Sequence, residues 1–422
     1  MITKIVVLAR LIQSLLKRVP MVFITGNEAL DSTLSYFDTK RWQDVRNKIR
    51  ELLSTENWMF RYAFEDIVET MYKQLTIIKK DYGNGRPVDV KRIFDAFAFD
   101  AACNVLLLTE YETIKNPDSD LLKEIKRILD TSDNFAEKLI LRSHLPKIAK
   151  WIKSQSINED LKDFKKKVRN IIYEKHWHEK ADFFLVKNVL DAMFEFDVKL
   201  TKNECLKTEI RLEDTTHQFL YYVVFGSQKV STLATMACYL LARHKVEQNI
   251  LRERIYEVIN QNEGAFPYSS CDDIEYLDLV IKETLRLYPP VSMQQKLKMK
   301  FSKRYVPKRA HVTIPICGIH RDPEFYENPG AFDPNRFLRR PPPVEKFLPF
   351  GMGNRSCIGE AFAKMVTKII LVHIVGSFDI AVCHSTKIPP KFGLGTHSFL
   401  SVEEMILTLT TRSDSPIRMR RL

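Results

Sequence analysis

Residues 347–360 read Phe-Leu-Pro-Phe-Gly-Met-Gly-Asn-Arg-Ser-Cys-Ile-Gly-Glu, a tight loop that delivers a cysteine to the doorstep of an apolar helix. Pro349 and two closely spaced glycines give the turn chemistry. Free backbone N–H groups and the positive end of the helix dipole favour thiolate over thiol at Cys357. Gly353 and Gly359 let backbone come close to something large and flat. Arg355 can reach an anionic group two residues from the sulfur, and Phe350 can wall that sulfur off from water. The bland reading, a buried cysteine before a helix, is the common fate of a lone Cys. It does not account for five special positions within ten residues.

The rest of the chain reads as one mainly α body with a small β-rich part. Of 422 residues, 45% are hydrophobic and 28% charged, as in a soluble globular body with a substantial core. Only 13 are Gly, which argues against a β-rich or flexible chain. Helical periodicity runs through residues 41–82, with Trp42, Val45, Ile49 and Leu52 and then Phe64, Ile67, Val68 and Met71. Gly83-Asn84-Gly85-Arg86-Pro87 breaks it, and a further helix covers 88–107. Helices follow near 159–176, 184–196 and 203–243, the last long, apolar and central. Helices at 245–262 and 272–288 precede Pro289-Pro290, which ends the second. Residues 291–345 carry short β-like runs, such as 311–316, and a final helix spans 358–378. No repeat or linker divides the chain.

The net charge of +12 favours acidic partners: an acidic protein or anionic lipid. No basic block interleaved with aromatics offers a nucleic-acid platform, so nucleic acid is not expected. Seven cysteines, at 103, 205, 238, 271, 317, 357 and 383, form no CxxC pair. Neither a disulfide framework nor a structural zinc site is expected. The pattern suits a reducing compartment. The ten histidines, His311, His320 and His384 among them, show no metal-ligand spacing. In residues 2–25 Lys4, Arg10, Lys17 and Arg18 interrupt the apolar run, which therefore fails as a spanning helix. Wound as a helix it is basic and amphipathic, suited to an anionic membrane surface or to packing on a core.

The cysteine loop resembles the cytochrome P450 haem signature, Phe-x-x-Gly-x-Arg-x-Cys-x-Gly, at every fixed position: Phe350, Gly353, Arg355, Cys357 and Gly359. A thiolate on haem iron needs a sulfur that is ionised, shielded and hydrogen-bonded by backbone. Upstream, Glu283-Thr284-Leu285-Arg286 looks like the family's Glu-x-x-Arg helix, whose spacing of three puts both charges on one face. Phe332-Asp333-Pro334-Asn335-Arg336-Phe337 looks like the segment that supplies a second arginine. Arg41-Trp42-Gln43-Asp44-Val45-Arg46 is similar to the family's Trp-x-x-x-Arg helix. The likeness covers about residues 38–412 and is strongest toward the insect detoxification branch, related to the vertebrate drug-metabolising branch. It implies a P450-like fold with a shortened N-terminal portion, residues 1–37 being an atypical segment and 38–422 the catalytic domain. It implies haem b with Cys357 as axial ligand, and a buried structural triad of Glu283, Arg286 and Arg336. Trp42, Arg46 and, as a weaker match, Lys296 would meet the haem propionates.

The central helix departs from the family pattern. Where relatives place Ala/Gly-Gly-x-Asp/Glu-Thr-Thr/Ser, this chain has Phe225-Gly226-Ser227-Gln228-Lys229-Val230. The acid–alcohol pair that supplies protons for oxygen activation becomes Gln228 and Lys229, while Ser231 and Thr232 stand close enough to order a water instead. Only 41 residues precede Trp42, where the family's anchor, hinge, first helix and first strands belong. The leading expectation is a monooxygenase of the endoplasmic reticulum membrane, on its cytosolic face. It would use dioxygen, a lipophilic substrate and electrons from an NADPH-linked reductase. Gln228 and Lys229 motivate a second, an isomerase or lyase acting on peroxides without reductase; the short front and Lys229 motivate a third, a haem-binding relative that has lost catalysis.

Overall fold

The computed structural model describes residues 46–53 in part, 58–107, 113–114, 222–292, 294–296, 312–353, 356–392, 402 and 404–417. They fall into two compact units. One takes in Phe64–Ala98 and Gln228–Leu422, the other Val19–Ala63 and Phe99–Ser227.

In the first unit, helix α1 (Trp58–Tyr82) buries Phe64, Ile67, Val68, Met71, Leu75 and Ile78, a stripe at three- and four-residue spacing. Phe64 stacks on Tyr268 at 5.7 Å and on Phe362 at 6.5 Å. The helix stops at Gly83, whose N–H donates to Lys79 O at 3.2 Å. A Cβ added there would lie 2.5 Å from that same oxygen, so only glycine lets the chain leave so closely. The break read at 83–87 is in fact the start of a strand, β1 (Asn84–Asp89). Pro87 is tolerated because β1 is an edge strand with an irregular register between Asn84 and Pro87. β1 pairs antiparallel with β5 (Ile406–Thr411), which pairs in turn with β4 (Phe378–Ala381). Helix α2 (Val90–Leu107) follows β1 directly; Asp89 Oδ1 accepts from Lys91 N–H at 3.1 Å and Met405 N–H at 3.0 Å.

The core of this unit is helical. Helix α3 (Ser227–Arg243) is buried on every side from Val230 to Ala242. A π-helical turn, Tyr222–Gly226, leads into it, so the central helix has a local change of register that periodicity alone does not reveal. Helices α4 (Lys245–Gln261) and α5 (Glu275–Leu287) pack with the late helix, which is buried throughout from Met365 to Ser377. Polar side chains of α4 reach the end of that late helix. Arg252 donates to Val375 O at 3.0 Å and Phe378 O at 3.1 Å, and Gln248 exchanges bonds with Ile380 in β4. Buried carbonyls at a helix end need such donors. Between α5 and the cysteine loop lie a two-stranded antiparallel pair, β2 (Gln294–Lys296) with β3 (Val312–Ile314), and two short helices, α6 (Ile316–His320) and α7 (Arg336–Arg339). The late helix, α8 (Glu360–Ser377), starts only after Gly359, its N-cap.

In the second unit residues 46, 47 and 49–51 are helical, and Arg46, Ile49 and Leu53 are buried. The later part of α2 buries Phe99, Ala101, Ala102, Cys103 and Val105. Asp100 on that stretch accepts Thr113 N–H at 3.0 Å and Thr113 Oγ1–H at 2.8 Å. Ser227 Oγ donates to Val223 O, the usual back-bond of a helical hydroxyl. The described residues are thus mainly α with small antiparallel sheets.

Candidate functional site

Cys357 stands three residues before the first residue of α8, in a loop folded by Gly351 (φ +72°) and Gly353 (φ +82°). Both angles lie in the left-handed region that glycine enters without a steric penalty. Three backbone bonds close the loop: Gly351 N–H to Leu348 O at 3.1 Å, Ser356 N–H to Gly353 O at 2.9 Å, and Cys357 N–H to Phe350 O at 2.7 Å. Phe350 is half-buried, with the Lys364 ammonium 5.4 Å from its ring centre. A Cβ built at Gly359 meets no atom of the described residues within 4 Å, so they do not crowd the face of the loop next to Cys357.

The described cysteines differ sharply. Cys103, Cys238 and Cys271 are buried, and desolvation pushes their thiols well up. Cys317 and Cys383 are partly exposed, whereas the Cys357 side chain is exposed. Among the described residues, then, Cys357 is the sulfur most available to a group from outside the chain. A sulfur at a glycine-walled helix entrance is a donor set that fits haem.

Glu283, Arg286 and Arg336 meet in one buried cluster. Arg286 grips the Glu283 carboxylate with two parallel bonds, Nε to Oε2 and Nη2 to Oε1, both 2.8 Å. Arg336 Nε reaches Oε1 at 2.9 Å, and so does the Asp333 N–H. Both Glu283 and Arg286 are fully buried. Such charges are tolerable only when every donor and acceptor is met. The arginines spend their remaining N–H groups on carbonyls of the 320–331 segment: His320, Pro329 and Ala331 for Arg286, Glu327, Asn328 and Ala331 for Arg336.

In the first turn of α3, Gln228 and Lys229 are half-buried. Desolvation lowers the Lys229 pKa to about 8, and the charge of Cys357 opposes the fall. The fold thus brings Lys229 within electrostatic reach of Cys357. Ser231 and Thr232 are buried instead, and Ser231 Oγ has no hydrogen-bond partner among the described residues. Lys296 ends β2 opposite Val312, with only its backbone described. Arg46 is buried in the other unit. Trp42 and Arg355 lie outside the described residues.

Two contributors were not legible in the sequence. His320 Nε2 accepts the Leu348 N–H at 2.8 Å, and Tyr326 O–H donates to Lys346 O at 2.8 Å. Burial lowers the His320 pKa to about 4, the backbone carbonyls of Leu285 and Arg286 near the ring pulling the other way. No spacing rule marks either residue.

A mainly helical body, a cysteine loop opening onto a buried helix, and a Glu–Arg–Arg cluster beside it define the haem-thiolate class. The sequence matches the family model of cytochrome P450 over residues 17–408, and the chain belongs to that family. It is 26% identical over 383 residues to cytochrome P450 6a2 of Drosophila melanogaster, covering 87% of this chain and 74% of that protein. It is 24% identical over 396 residues to cytochrome P450 3A5 of Homo sapiens, covering 92% and 77%. A shorter match, 39% over 189 residues, links it to cytochrome P450 9e2 of Blattella germanica, covering 42% of this chain and 35% of that protein. Membership brings haem with iron on a cysteine thiolate and, in general, monooxygenase chemistry.

Proposed function

We propose that Cys357 is the axial ligand and that this chain oxygenates a lipophilic substrate with electrons from an NADPH-linked reductase. The observation that carries the assignment is the exposed Cys357 in its glycine-folded loop, with Phe350 O accepting its N–H. Haem bound there supplies the activation of dioxygen, and a thiolate ligand favours O–O cleavage. The chain's own part is to hold the sulfur ionised and to keep the loop in place through Glu283, Arg286 and Arg336. Arg355 and Lys296, with Trp42 and Arg46 on the strength of their motif, serve as propionate donors. Gln228, Lys229, Ser231 and Thr232 govern proton supply to the reacting oxygen. The basic balance of the chain suits an acidic reductase and the cytosolic face of the endoplasmic reticulum membrane, which residues 1–37 touch as a separate segment ahead of the catalytic domain at 38–422. Among the described residues no helix is long and apolar enough to cross a membrane.

A second reading, isomerisation or lysis of a peroxide without reductase, is favoured by Gln228 and Lys229, which replace the acid and alcohol of the family. Rapid peroxide rearrangement without NADPH would select it. The test of the ligand is optical. The reduced, carbon-monoxide-bound protein should show the red-shifted Soret band of thiolate ligation. Cys357→Ala should remove it, whereas Cys271→Ala and Cys383→Ala should not. A spectrum typical of histidine ligation in the native protein would overturn the assignment.

A further inference from the structure

The start of the cysteine loop is tied down on two consecutive peptides. The Lys346 carbonyl accepts the Tyr326 hydroxyl at 2.8 Å, and the Leu348 N–H donates to His320 Nε2 at 2.8 Å. Between them the Phe347 ring stacks on the His320 imidazole at 5.3 Å and meets Phe337 edge-on at 5.0 Å. His320 and Leu348 are both buried, so water does not replace a lost partner. His320 also belongs to the ionic cluster, because its main-chain oxygen accepts Arg286 Nη1 at 3.0 Å. A continuous series of bonds results. Glu283 fixes Arg286, Arg286 fixes the His320 backbone, and the His320 ring fixes Leu348. Leu348 O then holds Gly351 N–H, and Phe350 O holds Cys357 N–H.

We propose that His320 is a positioning residue for the thiolate: by accepting the Leu348 N–H through Nε2 it transmits the rigidity of the Glu283–Arg286–Arg336 cluster to the loop that carries Cys357. The proposal rests on Cys357 being the iron ligand. It requires the neutral ring with its proton on Nδ1, since a nitrogen that accepts cannot carry a hydrogen. Nδ1 is itself buried and has no hydrogen-bond partner among the described residues, so the Leu348 N–H is the bond that holds the ring, and the charges around it agree with the neutral state. The Arg286 guanidinium acts on the ring and disfavours a second cation. Glu283, the one carboxylate of the cluster, is already taken up by Arg286 and Arg336. An orphaned buried N–H is costly, and the loop escapes that cost only by shifting. A shift at Leu348 moves Gly351 and Phe350, and with them the acceptor for the Cys357 N–H.

The test uses the haem-loaded protein. His320→Leu removes the acceptor and keeps apolar bulk; His320→Gln restores an acceptor oxygen. The reduced carbon-monoxide complex of His320→Leu should lose its red-shifted Soret band, in favour of the band of thiol-ligated haem, about tenfold faster than the native complex. His320→Gln should recover most of that loss. Helix content should match the native protein in both. In native holoprotein the Leu348 amide should exchange slowly with solvent deuterium. Should His320→Leu fail to fold, the exchange rate and His320→Gln still decide the matter. Fast exchange at Leu348 overturns the proposal, as does a His320→Leu band as durable as the native one. Equal instability of the Leu and Gln variants also overturns it, since bulk rather than the acceptor would then be at stake. Lack of the red-shifted band in the native protein overturns the ligand assignment itself, a distinguishable result.

Discussion

Arg286 shows how much one side chain can be asked to do. All five of its guanidinium N–H groups donate: two to Glu283 and one each to the carbonyls of His320, Pro329 and Ala331. Glu283→Ala or Arg286→Ala strands a buried charge, at about 3–5 kcal/mol, and should abolish haem retention. Arg286→Lys keeps the charge but has three donors, not five, and should also release haem. Haem content and thermal unfolding check this; full retention in the Lys variant would show that charge alone suffices. Gln228 and Lys229 carry a second prediction. With no acid in place, the native protein should release hydrogen peroxide or superoxide at the expense of product. Gln228→Glu with Lys229→Thr should raise product formed per NADPH, because acid–base assistance is typically worth about 10²–10⁴-fold. Efficient native coupling, lost in Ser231→Ala/Thr232→Val, would place the relay on the hydroxyls instead. The Glu-x-x-Arg spacing was readable from the chain, because i and i+3 share a helix face. The three carbonyls that complete Arg286 were not, since backbone acceptors have no sequence signature.

At the level of elements, α8 positions the loop because its first residue, Glu360, lies only three positions after Cys357. Its apolar stretch was plain in the sequence, but the partners of the charge within it were not. Lys368 is buried, yet its ammonium lies 2.7 Å from Asp272 and 3.1 Å from Asp278. Desolvation lowers its pKa, but the hydrogen bond it donates to Asp272 and the pull of Asp278 outweigh it, and the net shift is upward. Asp272→Asn with Asp278→Asn should therefore destabilise more than the sum of the single changes, by up to about 3–5 kcal/mol, because the buried cation loses its last partner. Lys368→Met should cost less, since an apolar side chain of similar length leaves no charge behind. Urea unfolding of the four variants separates these outcomes; simple additivity would show that Lys368 finds another acceptor. The Gly83–Pro87 stretch teaches the complementary point. Its turn-forming residues hide an edge strand, because pairing with β5 depends on a segment more than three hundred residues away.

Across the whole molecule, acid should act through two buried histidines of the unit built on Phe64–Ala98 and Gln228–Leu422. Burial lowers both His320 and His373 from 6.5 to about 4. His373 binds Ile369 O through Nδ1 and packs edge-on against Tyr72. Since the folded state holds them neutral, the unfolded chain binds more protons between about pH 6.5 and pH 4. Their contribution is complete above about pH 6.5 and is lost as pH falls through the folded pKa, about 3 kcal/mol each over the full interval. The unfolding temperature should drop between pH 7 and pH 5, and less so in His373→Phe. An equal drop in both proteins would show that His373 takes no part.

The sequence alone determined the mainly α class, the cysteine loop and the Glu283–Arg286 spacing, because turn chemistry and helical periodicity act over a few residues. The tertiary structure decided the pairs that span the chain. Arg336 meets Glu283 across 53 positions, and His320 meets Leu348 across 28. It also brought Lys229 within electrostatic reach of Cys357 and left that sulfur exposed while packing Cys238 and Cys271 away. Such contacts follow from how buried helices pack and which donors are then left facing which acceptors, and local composition carries no record of that.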